Sequence, residues 1–107
     1  MGNYPFLHQN GIFFNFILDF EATCEEKNPP GYPHEIIEFP AVLVSAKEKR
    51  SIDVFHSFVR PTINPILSEF CRNLTGISQE TVDNAETFGV VHKRFLEWMT
   101  NHELGTR

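Results

Sequence analysis

Apolar runs alternate with proline-rich or charged breaks along the chain, and the period of the apolar positions changes near residue 60 from that of strands to that of helices. Residues 12–20 are almost continuously apolar, which predicts a central strand buried on both faces. Residues 35–45 predict a second strand, in which Pro40 implies a bulge or an unpaired amide. Residues 51–59 alternate, with Ile52, Val54, His56 and Phe58 on one side and Asp53, Phe55, Ser57 and Val59 on the other. The charged turn Ala46–Arg50 is short, so these strands read as an antiparallel meander. Beyond it, Asn64 is a candidate N-cap and Pro65 a candidate first helical residue. Ile66, Leu67, Phe70, Cys71 and Leu74 then recur at helical spacing as far as Gly76, a natural stop. Residues 78–83 read as a polar connection with room for one short turn. Thr87 opens a second helix whose apolar side is Phe88, Val91, Phe95, Trp98 and Met99, and Gly105 stands at its far end. Residues 1–11 read as a lead-in with little structure of its own, and residues 24–34, with three prolines and a glycine, as a long loop.

Length and composition narrow this picture. The 107 residues suffice for one domain with a core, and 11 of them are Phe, so the core is expected to be aromatic. A net charge of −5 excludes a generic, salt-driven grip on phosphates. Cys24 and Cys71 have no zinc-ligand spacing and read as free thiols in a reducing compartment. No apolar run approaches a membrane span and the first residues lack a basic start, so the expectation is an intracellular protein, cytoplasmic or nuclear, with no membrane partner.

The candidate chemistry lies where the first strand ends. Residues two apart in a strand point to the same side, so Asp19 and Glu21 would place two carboxylates on one face. Such a pair repels itself unless a cation lies between its members or one keeps a proton. A hard divalent ion such as Mg²⁺ takes oxygen ligands of this kind. Two solvated acids at a strand end fit the same spacing. His34, His56, His92 and His102 have no ligand-spaced partner and read as surface or half-buried residues.

Three segments together go further. Phe16-Ile17-Leu18-Asp19-Phe20-Glu21-Ala22-Thr23-Cys24 resembles the first motif of DEDD-type 3′→5′ exonucleases. His34-Glu35-Ile36-Ile37-Glu38-Phe39-Pro40 is similar to the second strand of one branch of them, and residues 70–83, with Leu74-Thr75-Gly76-Ile77, to the helix and turn that follow. Their order and content resemble the Eri-type (DEDDh) exoribonucleases, the branch that includes the 3′ exonuclease acting on histone mRNA. The resemblance runs from about residue 14 to the end of the chain. It implies an α/β, ribonuclease-H-like exonuclease fold, here a three-stranded antiparallel meander followed by two helices, with residues 12–107 as the N-terminal part of the domain. It implies that Asp19 and Glu21 bind catalytic metals, two Mg²⁺ or Mn²⁺ ions in the complete family site. It implies that Ala22 and Thr23 lie beside the terminal nucleotide, held by backbone groups and a hydroxyl, and that Leu74 and Ile77 pack near the last bases.

The family's two further aspartates and its histidine base have no counterpart before Arg107. The expectation is therefore a truncated form, inactive alone, with a non-catalytic RNA- or protein-binding remnant as the alternative. The implied partners are RNA 3′ ends, of histone mRNA, small interfering RNA or ribosomal RNA. The strand 12–20 is expected to leave an unpaired edge through which copies could associate.

Overall fold

A computed structural model of the chain describes residues 2–7, 13–28 and 30–102, with side chains described from Phe14 onward. Five strands, β1 (Gly2–Leu7), β2 (Phe13–Leu18), β3 (Glu21–Ala22), β4 (Ile36–Ser45) and β5 (Arg50–Phe58), form one antiparallel sheet. Three helices follow, α1 (Glu69–Thr75), α2 (Gln79–Asp83) and α3 (Phe88–Asn101). β2 and β3 share one edge of β4, and β5 takes the other. This is the expected meander with two additions.

The first addition is β1. The opening residues were expected to carry no structure, yet Gly2–Leu7 pairs with β2 from Gly2 opposite Leu18 to Leu7 opposite Phe13. Pro5 is tolerated because the outer side of β1 faces no strand. β2 is therefore flanked on both sides, and the unpaired edge expected on strand 12–20 is covered. Met1, residues 8–12 and Gly105 lie outside the described residues.

The second addition is the division of the first strand. Leu18 pairs with Ala41 and Glu21 with Glu38 in one uninterrupted register, so Asp19 and Phe20 stand opposite Pro40 and Phe39. The ladder lapses where Pro40 has no N–H to give. The expectation attached to Pro40 is met, but its effect falls on the partner strand. β4 itself runs unbroken, with every second residue from Ile37 to Ser45 buried.

The core is aromatic. Phe16, Phe39 and Phe95 are buried in one cluster with Ala41, Leu43, Val59 and Val91, and Phe14, Phe55 and Trp98 pack against it. Val91 and Phe95 give α3 its buried side, so α3 lies on the face of the sheet that carries Phe39 and Leu43. A second cluster, Ile37, Leu67, Cys71, Ile77 and Val82, seats α1 and α2. The far end of α3 is fastened by Asp53, whose Oδ2 accepts from Trp98 Nε1 and His102 Nε2, both at 2.9 Å. His102, read from sequence as solvated, is thus part of a clamp between helix and sheet.

Helix α1 begins later than its sequence suggests. Its N-cap is Ser68, whose Oγ accepts from the Cys71 amide at 3.0 Å, not Asn64. The amides of Thr62, Ile63 and Asn64 are turned outward to the Glu35 carboxylate, and that of Leu67 to Gln79 Oε1, so none is free for a helical first turn. Gly76 ends the helix as expected, in a left-handed conformation with φ 74°. The short turn foreseen within residues 78–83 is α2, capped by Ser78. Thr87 is the N-cap of α3, although its side chain makes no capping hydrogen bond.

Candidate active site

Asp19 and Glu21 flank the lapse between β2 and β3. The register persists across it, and Phe20 packs edge-on against Phe39 at 4.8 Å, on the side of the sheet that α3 covers. Alternation therefore puts Asp19 and Glu21 on the opposite side, as the strand period requires. Asp19 is exposed and Glu21 half-buried. The Cα of Glu21 faces that of Glu38, whose Oε2 accepts from His56 Nε2 at 2.7 Å. The sequence did not single out Glu38 and His56. Their link depends on the pairing of β4 with β5, which sets Pro40 against His56, and no local pattern announces it.

Two oxygen-bearing side chains on one open face suit a hard divalent cation, but they are an incomplete ligand set. Among the described residues, no group of three His, Cys, Asp or Glu side chains is placed to hold a metal ion. Asp19 and Glu21 are the residues that would hold such an ion, and further ligands must come from elsewhere.

Thr23 is placed differently from expectation. It is 3% exposed, and each of its polar atoms is engaged inside the chain. Its amide donates to Glu35 O at 2.8 Å, its carbonyl accepts from His34 Nδ1 at 2.8 Å, and its hydroxyl accepts from the Glu35 amide at 2.9 Å and donates to Pro33 O at 3.4 Å. The hydroxyl thus closes the loop 24–34 instead of facing a ligand. Because a carbonyl only accepts, His34 carries its proton on Nδ1. Ala22 is half-buried, and its carbonyl accepts from Cys71 Sγ at 3.7 Å, which ties β3 to α1. Leu74 and Ile77 part company: Leu74 is 66% exposed and open to a ligand, while Ile77 is 6% exposed within the second core cluster.

Both cysteines are free thiols, as expected. Burial, then the neighbouring Cys71 thiol, pushes Cys24 up to about 11. It stays protonated near neutral pH and is a poor nucleophile.

Glu35 is the main residue that sequence reading missed. Its carboxylate accepts from the amides of Thr62 at 2.7 Å, Ile63 at 2.9 Å and Asn64 at 2.9 Å. Burial alone would raise its pKa, but the Asn64, Thr62 and Ile63 amides together outweigh that and hold it below the ordinary value of 4.5. An acid that ends a loop and opens a strand gives no sign of partners some 27 residues away. A lowered folded-state pKa means stability present above the unfolded value and lost as pH falls through the folded one. Glu35→Gln is expected to cost about 1.5 kcal/mol at neutral pH, the low end for a charged hydrogen-bond set because water reaches this loop. The cost should shrink below about pH 4.5, where the parent loses the same advantage, and urea unfolding of both proteins across that range checks it.

The same segments match known proteins. The model of a family described as Exonuclease (RNase_T) matches residues 16–106. The human 3'-5' exoribonuclease 1 is 55% identical over 91 residues, which are 85% of this chain and 26% of that protein. The 3'-5' exonuclease eri1 of Schizosaccharomyces pombe is 48% identical over 86 residues, 80% of this chain and 29% of that protein. The crystal structure of the nuclease domain of 3'hExo, a DEDDh family member bound to rAMP, superposes with a TM-score of 0.82 at 54% identity, over 86% of this chain and 46% of that one. The chain thus spans roughly a quarter of the curated relatives' length and less than half of that solved chain. Its architecture is the ribonuclease-H-like fold of the DEDDh exonucleases, a metal-dependent group. The family match covers most of the chain, from the strand that leads into Asp19 to beyond the end of α3, and on that ground the protein belongs to the RNase T family of exonucleases.

Proposed function

We propose that this chain supplies the first half of a 3′→5′ exoribonuclease site. The observation that carries the reading is the pair Asp19 and Glu21 on one open face, at a lapse fixed by Pro40, within the segment that matches the family. Asp19 and Glu21 hold two divalent ions, Mg²⁺ or Mn²⁺, together with ligands that lie outside the described residues. When bound, such ions stabilise the attacking and leaving oxygens of phosphodiester hydrolysis. Leu74 offers apolar contact to a terminal base, and β3 holds the backbone of Ala22 beside it.

The substrate is an RNA 3′ end. A relative of known structure is described as recognising the 3′ end of the histone mRNA stem-loop, which supports that class of end first, with small interfering and ribosomal RNA ends as further substrates. A strand-edge route to self-association runs through the outer edges of β1 or β5, since β2 is flanked on both sides.

A chimera tests the reading. Residues 16–106 replace the matching segment of the human relative, and a 3′-labelled RNA is followed with and without Mg²⁺. Shortening from the 3′ end only when Mg²⁺ is present is the expected result. A folded chimera that leaves the RNA intact would overturn the proposal.

A further inference from the structure

A cleft of about 580 Å³ opens behind the Thr23 segment, in the size class of small-ligand sites. Its lining includes His34, Ile36, Val59, Arg60, Thr62 and Phe88. Arg60 anchors the wall: its amide donates to Glu86 O at 2.8 Å and its Nε to Ala85 O at 3.2 Å. No other polar contact occupies its guanidinium among the described residues, so the outer nitrogens are available. Glu35 also borders the cleft, but its charge is already met by three backbone amides.

An aromatic path joins this cleft to the candidate active site. Phe20, next to Asp19, is 40% exposed, and Phe88, in the cleft wall, is 44% exposed. Buried Phe39 lies between them, its ring 4.8 Å from Phe20 and 6.4 Å from Phe88. His92 stacks on Phe88 at 5.4 Å with an interplanar angle of 11°, which extends the flat surface. Large aromatic rings exposed in series beside an uncommitted guanidinium are the elements of a sequence-tolerant platform for single-stranded nucleic acid. A folding role accounts for Phe39 but leaves the exposed faces of Phe20 and Phe88 unused.

We propose that Phe20, Phe88 and Arg60 hold the single-stranded RNA that lies 5′ of the end taken by the Asp19–Glu21 face. The inference rests on the exoribonuclease reading and adds a track to it. Bases stack on Phe20 and Phe88, and the Arg60 guanidinium meets a backbone phosphate over the cleft. Continuity with the residue next to Asp19 argues for the substrate strand as the occupant.

The test uses the 107-residue chain, a 5′-fluorescein-labelled ten-residue oligouridylate and fluorescence anisotropy in EDTA, where metal-held contacts are absent. The expected result is measurable binding, weakened about tenfold by Phe88→Leu, which keeps an apolar group but removes the stacking face. Arg60→Gln should lower the slope of log affinity against log salt by about 0.7, the share of one phosphate contact on a single strand. Asp19→Ala should bind as the parent does. Near-ultraviolet circular dichroism confirms that each variant is folded. Absence of binding in EDTA, or Phe88→Leu and Arg60→Gln both binding as the parent, would overturn the track. If binding requires Mg²⁺ and is lost in Asp19→Ala, the track falls while the metal site stands. If the variants weaken binding as expected but the chimera cannot shorten RNA, the track stands and the exonuclease reading falls.

Discussion

Asp19→Ala in the chimera is expected to reduce RNA shortening by a factor of about a thousand or more. The argument starts from the sheet. Asp19 stands just past the last paired residue of β2, opposite Pro40, and its exposure leaves it open to solvent on the face it shares with Glu21. Alanine removes an oxygen ligand there without disturbing a core contact or a ladder bond. Loss of metal-based charge stabilisation is worth several kcal/mol at the transition state, and each 1.36 kcal/mol is tenfold in rate. Stability should change little, because surface substitutions away from special features stay within about 0.5 kcal/mol. Rate and melting temperature measured on the same preparation separate the two effects. A rate that falls only in step with unfolding would contradict a metal-holding role.

Phe95→Ala should have the largest effect on stability, a loss of about 3–5 kcal/mol. Phe95 is buried where α3 meets the sheet, with ring centroids 4.8 Å from Phe39, 5.5 Å from Phe55, 5.8 Å from Phe16 and 5.9 Å from Trp98. Four aromatic neighbours cannot all collapse into the space one ring leaves, so a cavity remains and adds to the lost transfer energy. Total stabilities of small domains are about 5–15 kcal/mol, which places the variant near the edge of folding. Phe95→Leu keeps most of the volume and should lose less than half as much. Urea unfolding followed by tryptophan fluorescence reads both, since Trp98 touches the substituted ring. A loss under 1 kcal/mol in the alanine variant would show that α3 is not held by this residue.

The strands around Asp19, the aromatic core and the helix after Thr87 were legible because each is set by local period and composition. Phe88, Val91 and Phe95 repeat at helical spacing whatever surrounds them. What escaped sequence reading depends on distant pairing. β1 holds Gly2, Asn3 and Pro5, residues of low strand propensity, and forms because β2 offers it a ladder. Asn64 looks like a cap, but its amide is taken by a carboxylate that precedes it by 29 residues. Thr23 looks like a free hydroxyl beside the acids, and the folded loop turns it inward to Glu35. Phe20 reads as one more apolar residue of a strand. Only the lapse opposite Pro40 shows it half-exposed at the start of an aromatic path.

The pairing of β1 also bears on how this protein can be handled. Gly2 stands opposite Leu18, so the beginning of the chain lies one residue's reach from Asp19. An affinity tag fused ahead of Gly2 would enter the molecule beside the acids it is meant to leave undisturbed, and a polyhistidine tag would bring metal-binding imidazoles with it. The end of α3 lies across the sheet against Asp53 on β5, which makes the C-terminal side the sound place for a fusion in any metal-binding measurement.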